Sequence, residues 1–134
     1  MKENKIRQML RDGKVTTSTR VWSTWPFYTE AIGETGNFSY VEFVGEYAPF
    51  TQLDLENICR AAELHDMGSM MKVDFQGRKY IAQKAVAAGF QAILFADHHT
   101  ADEVRDFSLG DEFKKLRELW ADDGAKMAEI IRDL

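Results

Sequence analysis

The chain has a single cysteine, Cys59, in 134 residues. That excludes an internal disulfide and suits a reducing compartment. Cys59 lies in LENICRAAEL, where a helix would bury it as a small core residue. Prolines number 2 and glycines 9, so the composition does not suggest disorder. Positive charge is in deficit: 17 Lys and Arg stand against 22 Asp and Glu, a formal net charge of −5. No broad basic surface for nucleic acid is expected from that balance. There is no run of about 18 apolar residues. There is no signal-peptide core either, so the expectation is a cytoplasmic protein with no membrane partner.

What is present is ordinary for a globular chain: 45% hydrophobic and 29% charged residues. The length suits one domain over residues 1–134. KENKIRQMLR near the start carries Ile6, Met9 and Leu10 at helical spacing, with Gly13 as a stop. Val15–Trp22, rich in β-branched residues, reads as the first strand. Pro26 suits the first turn of a helix running through Ile32. YVEFV, Tyr40–Val44, is the second strand, and Gly45 and Pro49 punctuate the loop after it. Thr51 or Gln52 precedes a helix with Leu53, Leu55, Ile58, Ala62 and Leu64 as its apolar stripe. Ser69–Val73 is the third strand. The next helix turns Tyr80, Ile81, Ala85 and Val86 inward and ends at Gly89. Phe90–Ala96 is the fourth strand, and Thr100 caps a further helix. From Leu109 the apolar residues recur at helical spacing to the end, with Gly124 as a weak point.

Strand and helix therefore alternate four times. Nearly continuous apolar strands with interleaved helices predict a parallel α/β sheet covered by helices. In such folds ligands bind beyond the carboxyl ends of the strands, which draws attention to Glu46 and Tyr47.

At YVEFVGEYAPF the sequence resembles the HpcH/HpaI aldolase family. The resemblance runs from KENKIRQMLRDGK through SMMKVDFQGRKYIAQKAVAAGFQAILFADHHTADEVRD. It covers roughly residues 1–106, four βα units that look like half of a (β/α)₈ TIM barrel. Residues 107–134 look like the family's C-terminal helix, and what lies between the two in the family is missing here. The resemblance implies a metal-dependent carbon–carbon lyase acting on 4-hydroxy-2-oxo acids through a pyruvate enolate, with Mg²⁺ or Mn²⁺ as cofactor. The family's catalytic histidine falls at Tyr47 and its partner aspartate at Val44. The arginine that polarises the substrate keto group falls at Lys72. Tyr47 and Lys72 thus stand at family catalytic positions, while the family's metal-binding glutamate and aspartate have no counterpart here.

Other residues carry chemistry on their own account. Asp97, His98 and His99 follow a strand directly; they are candidate metal ligands, or a turn entering a helix. Lys72 and Asp74 project to one side. They form either a surface ion pair or a cation facing an anionic substrate, with Glu46 and Asp97 on the same rim. Arg20, if inward-facing, needs a buried partner or a ligand anion. Trp22, Trp25, Phe27 and Tyr28 suit core packing or a subunit contact more than substrate stacking. Met67, Met70 and Met71 suit core gaps.

Two functions follow as expectations. One is the 2-oxo acid lyase, with Arg20, Glu46 and Asp74 binding substrate. The other is a non-catalytic module that self-associates as a homodimer or higher homo-oligomer. In that second reading Val41, Phe43, Met71, Val73, Ile93 and Phe95 line the sheet's inner face and lose water only on association.

Overall fold

The structure is a computed structural model that describes residues 3–108. The chain up to Asp97 makes one compact unit; His98 opens a second, whose described part is a helix over Ala101–Ser108. The C-terminal helical segment expected beyond Leu109 lies outside the described residues.

The first unit alternates helix and strand: α1 (Lys5–Arg11), β1 (Ser18–Val21), α2 (Pro26–Glu34), β2 (Tyr40–Val44), α3 (Gln52–Leu64), β3 (Gly68–Val73), α4 (Arg78–Ala88) and β4 (Ala92–Phe95). The helix over Ala101–Ser108 is α5. The four strands form one parallel sheet in the order β1-β2-β3-β4. This is the expected α/β fold, a partial TIM-type barrel of four βα units.

Local chemistry sets the boundaries. The Asn4 side chain accepts the Arg7 N–H and starts α1. Pro26 opens α2, where its missing N–H costs nothing. Thr51 and Asp54 form a reciprocal capping box at the start of α3. Gly89 closes α4 at φ 113°, a conformation that a side chain would oppose.

The core lies between the sheet and the helices. Val41, Phe43, Met71 and Val73 pack against Leu55, Ile58 and Ala62 of α3 and Ala85 of α4. All four strand residues are fully buried within one chain. This corrects the expectation that they wait for a partner: their face of the sheet is the helix-covered one. Alternation puts the other set of residues on the opposite face. The register aligns Arg20, Glu42, Met70 and Ala92 in one row there, and Val44, Lys72 and Leu94 in the next.

Other expectations shift as well. β1 starts at Ser18, three residues later than its β-branched run. Tyr80 of α4 and Leu53 and Leu64 of α3 are exposed, not inward. Trp22, Trp25, Phe27 and Tyr28 lie about half exposed, so they are not core; three of their rings contact one another edge-on or tilted. Met67 and Met71 are buried, while Met70 is only half-buried on the opposite face. Cys59 is buried as expected, and burial pushes its thiol up to about 12.

Candidate functional site at the carboxyl ends of the strands

β2 ends at Val44, and the chain turns sharply. The Gly45 N–H donates to the Phe43 carbonyl at 3.1 Å and the Tyr47 N–H to the Val44 carbonyl at 3.4 Å. A Cβ on Gly45 would stand 2.3 Å from Met71 Cε and 3.3 Å from the Lys72 carbonyl oxygen. Glycine therefore lets the turn press against β3, which brings Glu46 beside Lys72. The Lys72 ammonium donates to Glu46 Oε2. It also stands 5.4 Å from the centre of the Tyr47 ring, within cation–π range.

The electrostatics are mutual. The Lys72 hydrogen bond holds the Glu46 carboxyl below its usual range, and a hydrogen bond from Tyr47 adds to this. The Glu46 hydrogen bond raises both the Lys72 ammonium and the Tyr47 phenol above their ordinary values. At neutral pH the site thus holds a carboxylate, an ammonium and a neutral phenol. Asp97 follows β4, and its charge acts on Lys72 and Tyr47. Asp97 has φ 61°, a left-handed backbone unusual for a residue with a side chain.

Of the residues singled out from the sequence, the structure thus brings Glu46, Tyr47, Lys72 and Asp97 together. Asp74 turns away: its Oδ1 accepts the Gly77 N–H at 2.6 Å, at the entry to α4. Arg20 lies on the same face one row deeper, with Nε 3.1 Å from Oε1 of Glu42. His98 and His99 open the second unit. There the His99 N–H donates to the Glu103 carboxylate at 2.7 Å and the Glu103 N–H to Thr100 Oγ1 at 3.2 Å, which starts α5. Among the described residues no three His, Cys, Asp or Glu side chains converge as a metal site would need. Glu46 is also engaged by the Lys72 ammonium, which repels a cation. The described residues therefore do not fit a divalent ion.

Glu42 is the residue that the sequence reading passed over. It is 5% exposed, and its Oε1 accepts no hydrogen bond despite the nearby Arg20. The available signal was a carboxylate in the middle of YVEFV, with an arginine on the preceding strand.

A four-stranded parallel sheet with interleaved helices is half of the sheet of a (β/α)₈ barrel. Solved structures agree on the fold. The chain is similar to citrate synthase SbnG, with 18% identity and a TM-score of 0.67, covering 76% of this chain and 41% of that one. It is similar to an HpcH/HpaI aldolase from Desulfitobacterium hafniense DCB-2, with 16% identity and a TM-score of 0.65 over 75% and 39%. It is also similar to macrophomate synthase, with 21% identity and a TM-score of 0.61 over 78% and 35%. The common element is the HpcH/HpaI aldolase fold, of which this chain spans about two fifths of the length. No family profile and no curated protein sequence matches the chain. Among the described residues no helix is long and apolar enough to cross a membrane.

Proposed function

We propose that the chain binds a 2-oxo acid at the carboxyl rim of its strands and serves carbon–carbon lyase chemistry on 4-hydroxy-2-oxo acids. The observation that carries this is the Lys72–Glu46–Tyr47 cluster at the end of β2 and β3. An ammonium has three donors, and Glu46 engages one. The others can meet the carboxylate or keto oxygen of the substrate and hold the charge of an enolate as it forms. Tyr47, kept protonated by Glu46, is a proton donor for an oxyanion or an enolate carbon. Glu46 keeps Lys72 charged. No step is assigned to a metal ion, because the described residues do not fit one.

The test is pyruvate binding, followed by calorimetry, together with pyruvate release from a 4-hydroxy-2-oxo acid. Binding by the wild type that is lost in Lys72→Met supports the reading; no binding by the wild type overturns it.

A second reading, a non-catalytic module that assembles with copies of itself, is favoured by a different observation. β1 and β4 each pair on one side only among the described residues. Bare parallel edges are a standing invitation to another strand. Stable oligomers without turnover would favour this reading over the first.

A further inference from the structure

We infer that two copies close an eight-stranded parallel barrel in a defined register, with the partner's residues 16–19 paired to Ala92–Phe95 of β4. This rests on the assembly reading and is independent of the lyase reading.

The register follows from the sheet itself. A line drawn across the strands from Arg20 meets Glu42, Met70 and Ala92. In an eight-stranded barrel of shear eight, such a line returns to its first strand eight residues earlier, because the strands share one right-handed tilt. A two-fold axis assigns half of that shift to each copy. The line leaving Ala92 therefore meets the partner's Thr16, four residues before Arg20. The opposite hand would bring residues 24–27 to β4, and α2 with Pro26 already occupies them.

Three observations meet at this register. First, the β-branched run starts at Val15, yet β1 begins only at Ser18. Residues 16 and 17 of that run, together with Ser18 and Thr19 of β1, are what the register supplies to a partner. Second, Val15 is 85% exposed, the most exposed of the large apolar residues among those described. Third, a groove of about 380 Å³ lies between α1 and the start of β4, lined by Ile6, Arg7, Leu10, Arg11, Gln91 and Ala92 among others. The register sets the partner's Val15 opposite Gln91, at this groove. Val15 covers the exposed Leu10.

The experiment combines sedimentation with disulfide trapping in the full chain. Thr16→Cys with Ala92→Cys should give a covalent dimer on mild oxidation, while Thr16→Cys with Leu94→Cys, two residues out of register, should not. Cys59 is buried and can stay in place. Val15→Asp should leave the helical circular dichroism unchanged and raise the dimer dissociation constant about tenfold or more, the scale expected for losing one buried valine. A wild-type monomer at micromolar concentration overturns both the assembly reading and this inference, and leaves the edges to another occupant. A dimer that fails to cross-link at 16 and 92, or cross-links equally well out of register, overturns this inference alone. So does a Val15→Asp variant that dissociates no more readily than the wild type.

Discussion

Lys72 is the residue on which the site turns, and pH tests its partnership with Glu46. The Glu46 carboxyl is lowered from an ordinary 4.5, so its share of stability is present above that value and is lost as pH falls through the lowered one. The Lys72 ammonium is raised from an ordinary 10.5, so its share is present below that value and is lost as pH rises past the raised one. Glu46→Gln should therefore lower the thermal midpoint at neutral pH, with the deficit closing toward the acid end. A deficit of equal size across the acid range would contradict the pairing. Glu42 makes a separate test, because one of its oxygens is buried without a hydrogen bond. Replacing it with an apolar side chain removes that desolvated oxygen, and the Arg20 side chain left behind is exposed enough to be solvated. Glu42→Leu should thus unfold at equal or higher denaturant, whereas Arg20→Ala, which strands the carboxylate, should cost about 1–3 kcal/mol. Equal losses in both variants would show that Glu42 is a structural necessity. Tyr47→His alone should not create metal-dependent pyruvate release, since Val44 cannot orient the imidazole and no metal group converges among the described residues. Turnover from that single variant would refute the assignment of Tyr47.

The elements were legible where side chains write the boundary into the sequence. Gly89 closes α4 as the sequence indicates, and of Thr51 and Gln52, either of which could precede α3, Thr51 is the cap. Thr51→Ala should cost about 1 kcal/mol through the lost capping box, measured by denaturant unfolding. Gly89→Ala should cost a similar amount through the left-handed backbone, about 1 kcal/mol; no loss in either would mean that the helix end is free to fray. β2 and its glycine turn were equally clear, and they position Glu46 and Tyr47. The faces of the strands were not clear. Alternation sorts a strand into two sets of residues, but a parallel strand such as YVEFV carries apolar residues in both. Val41 and Phe43 therefore gave no sign of which side meets α3. The charged residues did: Arg20, Glu42 and Lys72 all fall in the other set, the one not packed under helices. The link between Lys72 and Glu46 needed the fold, because 26 residues separate them. Asp74 was misleading for a local reason, since the entry to α4 claims its carboxylate.

At the scale of the molecule, four parallel strands, the outer two paired on one side only among the described residues, are half of what the matched fold uses. A chain that completes its sheet by association should unfold at a midpoint that rises with concentration. A midpoint independent of concentration would favour a self-sufficient monomer. The fold and the rim cluster together make the central claim, that Lys72 and its neighbours form a 2-oxo acid site. Calorimetric titration of pyruvate into the wild type and Lys72→Met tests it most directly. Saturable binding by the wild type, abolished in Lys72→Met with the fold intact, is the expected result; equal binding by both proteins, or none by the wild type, would contradict it.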